Sequence, residues 1–218
     1  MLDLLLPQRC LACGRGGTQL CRACRDSLPV LAPPLCERCG APAAWPVRRC
    51  RECAGRRLAF ASARAAVAYD EAARRLVSGW KERSLRRLAG EAAALVAERV
   101  ARPDVLALTF VPADPERRLE RGHNTAEALA RELARAWELE CLPLLRRRHT
   151  ERQRGSTLGE RRKNVRGVFR AHAQAPVRVA LVDDVYTTGA TASAAASALR
   201  AAGARRVEVV TFARTLRR

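Results

Sequence analysis

The sequence predicts an α/β domain built on a mostly parallel sheet, preceded by a small cysteine-rich domain. Three observations lead there. Apolar runs such as DVLALTFVP and RVALVDD are unbroken, as strands buried on both faces require. Helical periodicity fills segments between such runs, so strands and helices alternate. Eight of the nine cysteines lie between Cys10 and Cys53, which sets the first quarter of the chain apart. A chain of 218 residues has room for one substantial core and an appendage. We place the division at 1–56 and 57–218.

The first part carries four Cys-x-x-Cys turns: Cys10/Cys13, Cys21/Cys24, Cys36/Cys39 and Cys50/Cys53. It has several prolines and glycines and few large apolar side chains, too little to fold on burial alone. Each turn converges two thiolates on one tetrahedral ion, and two turns complete a four-cysteine site. Four turns therefore imply two zinc ions per chain, in structural sites with every ligand position filled. Disulfides need an oxidising compartment, and a bridge within each turn would close almost no loop. Pairing the turns in chain order is the simplest arrangement, and spacing alone leaves interleaved pairing open.

Beyond Cys53, AFASARAAVAYD (59–70) reads as extended, and 71–101 reads as helix with a basic face. Arg102-Pro103-Asp104 is a turn, and DVLALTFVP a buried parallel strand. PADPERRLERGHN reads as a charged loop, and Thr125 to Glu138 as an amphipathic helix. A short strand is expected around Leu142 to Leu145, followed by a strongly basic stretch up to Arg170. RVALVDD is a second buried strand, TASAAASALRAAGA a helix closed by Gly203, and VEVVTFA the last strand.

The formal net charge is +19, and all but two of the 41 basic residues are arginine, Lys81 and Lys163 being the exceptions. Such a surface favours polyanions, although arginine-rich composition by itself names no partner. Nothing approaches eighteen consecutive apolar residues, so no membrane span is expected. MLDLLLPQRC makes a poor secretory signal, and a cytoplasmic location is expected.

VALVDDVYTTGAT, residues 179–191, concentrates the chemistry. Its apolar run ends at the carboxyl edge of a parallel strand, where open α/β sheets place ligands. Gly189 permits a tight turn, Thr187, Thr188 and Thr191 supply hydroxyl donors, and the helix that follows begins with free N–H groups. Together they form a cradle for one phosphate. No lysine stands there, so this is not the nucleotide loop G-x-x-x-x-G-K-[ST]. Asp183 and Asp184 would repel a phosphate but suit the vicinal hydroxyls of a ribose. A sugar bearing a 5′-phosphate satisfies loop and acids together.

This stretch resembles the thirteen-residue phosphoribosyl pyrophosphate (PRPP) motif of type I phosphoribosyltransferases. The four cysteine turns, AYDEAARRLVSGWK, RRLERGHN and ERRKNVRGVF stand in the order found in the ComF family, competence-associated proteins similar to amidophosphoribosyltransferases. The resemblance implies a type I phosphoribosyltransferase fold behind a double zinc ribbon. It puts Asp183 and Asp184 on the ribose hydroxyls, as the catalytic pair, and Thr187, Thr188, Gly189, Ala190 and Thr191 around the 5′-phosphate. The loop after Val111 would face the pyrophosphate, and Arg146 to Arg166 would form the cover. Arg121, Gly122 and Asn124 match its R-G-x-N pattern, and Gln153, Glu160, Arg161 and Asn164 its loop before the motif strand. His123 and Thr125 depart from the family pattern. That departure falls on the pyrophosphate side and bears on catalysis more than on ribose-phosphate binding.

The implied activity is binding of PRPP with Mg2+ and a role in natural competence, in the uptake and processing of single-stranded DNA. Single-stranded DNA and a DNA-uptake helicase or other competence proteins are the implied partners. Two alternatives stand beside it: an inactive PRPP-fold protein that grips DNA or scaffolds the uptake machinery, and an active phosphoribosyltransferase of nucleotide metabolism. Among the remaining residues, His123 is the histidine nearest the pyrophosphate side, and Cys141 has no partner cysteine nearby in sequence.

Overall fold

The computed structural model describes residues 8–82, 85, 87–148 and 167–216. A short helix, α1 (Arg22–Asp26), lies in the cysteine-rich part. The following domain runs β1 (Ser62–Ala68), α2 (Glu71–Glu82), α3 (Leu88–Arg99), β2 (Ala107–Phe110), α4 (Pro115–Arg121), α5 (Thr125–Trp137) and β3 (Glu140–Cys141). It continues with β4 (Leu145–Arg147), β5 (Phe169–Ala171), β6 (Arg178–Tyr186), α6 (Ala190–Ala201) and β7 (Arg206–Arg214). The five-stranded sheet has the order β1-β7-β6-β2-β3, with every pair parallel. The α/β class with a preceding four-cysteine domain is thus as expected.

Alternation along the strands divides the apolar interior in two. On β6, Ala180 and Val182 join a core with Trp80 of α2, Leu95 of α3 and Leu129 and Leu133 of α5. Val179 and Leu181 join the other, with Ala195, Ala196 and Leu199 of α6. Small alanines on α6 let it lie close to the sheet. Asp70 starts α2 by accepting from the Ala73 N–H at 2.8 Å, a side-chain cap on an otherwise unpaired donor.

Three expectations are corrected. The charged loop after β2 contains α4, because Pro115 stands in its first turn and Gly122, at φ 68, ends it in the left-handed conformation. Leu119 in this helix is 86 % exposed, so no apolar stripe announced it. The strand expected around Leu142 to Leu145 is two short strands, β3 and β4, separated by Pro143, which has no N–H to give a ladder. The motif strand continues past both aspartates to Tyr186, since β7 pairs with it up to Arg214.

The ribbon packs along the outer edge of β1, with a Val30–Val67 bridge and a bond from the Ala63 N–H to the Arg38 carbonyl at 3.0 Å. That cover removes an open strand edge. Among the described residues no helix is long and apolar enough to cross a membrane.

Candidate functional site

Between β6 and α6 the chain turns through Thr187, Thr188 and Gly189. Gly189 caps α6 at φ 71, a left-handed conformation that favours glycine. A Cβ there would also overlap the Tyr186 hydroxyl. Thr188 Oγ1 accepts from the Ala190 N–H at 3.3 Å, and Thr187 and Thr188 are exposed. Asp183, Tyr186, Thr187, Gly189, Thr191 and Thr211 line a small cleft at the carboxyl edge of the sheet. The twelve residues of α6 aim a helix N-terminus into this region.

The adjacent aspartates have different surroundings. Asp184 is buried: Lys81 Nζ donates to its Oδ1 at 2.7 Å and Thr125 Oγ1 to its Oδ2 at 2.6 Å. Each oxygen keeps a second acceptor position. Asp183 borders the cleft, and among the described residues its Oδ1 accepts from the Asp184 N–H alone, at 2.9 Å. Burial, together with the charge of Asp184, pushes the Asp183 carboxyl up to about 7, against the pull of Lys81.

At the end of β2, Asn124 is a structural tie. Its Oδ1 caps α5 by accepting from the Ala126 N–H at 3.1 Å, and its Nδ2 donates to the Val111 carbonyl at 3.1 Å. This fixes the start of α5, and Thr125 with it, against the end of β2. The His123 ring lies between two carbonyls, Arg121 O at 2.8 Å and Trp80 O at 3.0 Å, joining the ends of α2 and α4. Arg147 pairs with Asp114 at 3.4 Å and stacks on Phe169, bringing the β4–β5 hairpin to the loop after β2. The expected cover begins in β4, where Arg146 and Arg147 pair with β5; the rest of it, with Gln153, Glu160, Arg161 and Asn164, lies in the span 149–166, outside the described residues.

The eight cysteines form two groups, Cys10, Cys13, Cys21, Cys24 and Cys36, Cys39, Cys50, Cys53, with all four Sγ atoms of each within 4.8 Å of one another. Pairing is in chain order. Sulfurs of a tetrahedral zinc site stand about 3.8 Å apart, given Zn–S near 2.3 Å. Cys13–Cys21 at 3.7 Å, Cys36–Cys53 at 3.6 Å and Cys39–Cys50 at 3.5 Å fit that size. Burial opposes the Cys10 thiolate, but the N–H groups of Cys21, Cys13 and Ala12 outweigh it and hold the thiol down at about 6. Cys24, hydrogen-bonded to Cys13 and Cys21, is pushed up to about 12. A divalent cation at the centre of the four sulfurs would favour all four thiolates at once. Cys141 is a half-buried thiol whose burial raises it to about 11, which disfavours the thiolate.

The double zinc ribbon domain family matches residues 1–54. Competence protein F of Haemophilus influenzae is 29 % identical over 94 % of this chain and 96 % of its own length. DNA utilization protein YhgH of Salmonella typhimurium is 30 % identical, covering 84 % of this chain and 85 % of that protein. The chain belongs to the ComF family. Among solved structures, the glutamine PRPP amidotransferase from B. subtilis matches at 21 % identity and a TM-score of 0.41, over 56 % of this chain and 25 % of that one.

For this ComF-family chain, the sequence located the loop and the zinc ligands but missed the partners of Asp184. Lys81 lies 103 positions away and Thr125 lies 59 away. One signal was available: Lys81 is one of only two lysines in a chain whose cations are otherwise arginine. Thr125, which departs from the family pattern, donates to Asp184 Oδ2 beside the Lys81 bond to Oδ1.

Proposed function

We propose that this ComF-family protein binds PRPP with Mg2+ at the β6–α6 loop and serves natural competence by handling single-stranded DNA in the cytoplasm. We further propose a working division at 1–56 and 57–218, the ribbon being a zinc-dependent scaffold for the ligand-binding domain. One observation carries the reading: a glycine-threonine turn on a helix N-terminus stands beside two aspartates with acceptor capacity to spare. Loop N–H groups and the hydroxyls of Thr187, Thr188 and Thr191 suit a 5′-phosphate. Asp183 and Asp184 suit the ribose hydroxyls, with Lys81 and Thr125 holding the second carboxylate in place. Bound with PRPP, Mg2+ would supply charge neutralisation at the pyrophosphate. Calorimetry with PRPP and Mg2+ is expected to give binding that the Asp183→Asn, Asp184→Asn double variant abolishes; a flat titration of the wild type refutes the reading. Pyrophosphate release from the bound ligand then separates a transferase from a binding protein.

A second observation favours the DNA part. At the opposite, amino-terminal end of β1 and β7 a wide groove is lined by Arg38, Arg48, Arg49, Arg64, Arg99 and Arg102. None of these six has a carboxylate within ion-pair distance among the described residues. Carbonyls orient several of them: Leu58 O holds Arg38 at 2.6 Å, Glu37 O holds Arg64 at 3.0 Å, and Trp137 O holds Arg102 at 2.9 Å. Glu37, Asp104 and Glu208 line the same groove, but guanidiniums oriented by carbonyls and outside ion-pair reach of these acids suit a phosphate backbone. Single-stranded DNA affinity is expected to fall steeply with salt, and Arg48→Ala with Arg49→Ala to lower the log–log slope by about 1.4. Binding that ignores both salt and the substitutions sinks this reading.

A further inference from the structure

We infer that Arg214 is a positioning residue for the phosphate loop, linking the second four-cysteine site to Tyr186 and Gly189, so that metal held there and anion held at 187–191 favour one another. The anion half rests on the function proposed above.

Arg214 is the last residue of β7 and only 1 % exposed, and a buried guanidinium requires acceptors. Both of its acceptors belong to the ribbon. Nη1 donates to the Cys39 carbonyl, and Nη2 donates to Glu52 Oε2 at 2.7 Å. Cys39 is itself a metal-ligand residue, and Glu52 stands between Cys50 and Cys53. The four-sulfur geometry therefore sets where both acceptors lie.

Toward the loop, Arg214 sits beside Tyr186 in the sheet register, its guanidinium carbon 4.9 Å from the ring centre. Tyr186 is 5 % exposed, and its hydroxyl, without a hydrogen-bond partner among the described residues, presses against Gly189. Thr215, next in the chain, donates from its N–H to the Tyr186 carbonyl at 2.9 Å and from its hydroxyl to the Thr187 carbonyl at 3.4 Å. A packed path thus runs from Cys39 and Glu52 through Arg214 and Tyr186 to the residue that caps α6.

Without a cation nothing draws the four sulfurs to one centre, and the thiols reprotonate, so metal loss releases the Cys39 carbonyl and Glu52 from their places. A buried guanidinium deprived of both acceptors does not keep its place on Tyr186, and the support beneath Gly189 goes with it. Linkage makes the effect reciprocal: an anion that orders the loop tightens the metal.

The test uses the full zinc-loaded chain, with Arg214→Lys, whose single ammonium does not reproduce the two-pronged contact, and Glu52→Gln, which lies on the ribbon away from the loop. Without ligand, hydrogen exchange in peptides covering 186–193 is expected to quicken about tenfold in both variants at an unchanged metal-to-protein ratio. Wild-type protection in either variant that folds overturns the inference. In the wild type, PRPP with Mg2+ is expected to slow transfer of one zinc to a zinc-selective dye about tenfold, and the slowing is expected to vanish in Arg214→Lys. Equal slowing in both proteins means that Arg214 is only structural. If PRPP does not bind the wild type, the proposed function fails, and ligand-free exchange still decides the coupling.

Discussion

Asp183 and Asp184 are neighbours in the chain with opposite electrostatic surroundings. Lys81 and Thr125 satisfy Asp184, while Asp183 has one backbone N–H and the field of its neighbour. Its folded pKa of about 7 lies above the ordinary aspartate value near 3.9. The folded protein therefore holds this proton more tightly than the unfolded chain does. The stability contributed is full below about 3.9 and is lost as pH rises through about 7, by no more than about 4 kcal/mol. Asp183→Asn should flatten this part of the pH dependence and raise the melting temperature of the ligand-free protein at pH 7.5. Thermal melts across pH 5 to 8 check it, and an unchanged profile contradicts it. The same variant should lose affinity for PRPP, because an amide replaces one hydroxyl acceptor with a donor. An acid kept at a cost to the free protein is what a ligand-binding position looks like.

At the scale of elements, the β6–α6 connection works because strand, turn and helix each restrict the next. β7 holds β6 straight as far as Tyr186, Gly189 reverses the chain, and α6 starts at once. Gly189→Ala meets two obstacles: the left-handed conformation and overlap with the Tyr186 hydroxyl. It should cost about 1–3 kcal/mol in chemical denaturation and remove PRPP binding. Full affinity in the alanine variant would show that the turn does not form the phosphate cradle. The junction of β2 and α5 is fixed differently, by Asn124, whose two side-chain bonds lock the start of α5 to the end of β2.

Across the whole molecule, the ribbon is an integral part of both cores. Cys10, Leu20 and Leu28 pack with α2 and α3, while Cys36, Cys39 and Cys53 pack with Tyr186 and α6. Arg25–Glu98 at 2.6 Å and the bond from Arg75 to the Ala12 carbonyl at 2.9 Å add polar ties across the junction. Metal loss should therefore be felt throughout. A strong zinc chelator is expected to lower the melting temperature by about 10 °C or more in one calorimetric transition. Metal analysis beforehand should find two ions per chain. An α/β domain that melts unchanged after the metal is gone would show that the two parts fold independently.

By itself the sequence determined what local pattern can encode. The Cys-x-x-Cys spacing fixes the metal ligands because two thiolates one turn apart already converge. Unbroken apolar runs fix buried strands, and VALVDDVYTTGAT fixes a strand, a turn and a helix start within thirteen residues. Even so, the short helix α4 escaped pattern reading because it has no apolar face. Only tertiary structure decided what depends on meetings between distant residues. Chain-order pairing of the cysteines, the partners of Asp184, and the path from Glu52 through Arg214 to Tyr186 are of this kind. The physical reason is burial. A charge removed from water must find its partner wherever the fold brings one, and no spacing in the chain records which residue that is.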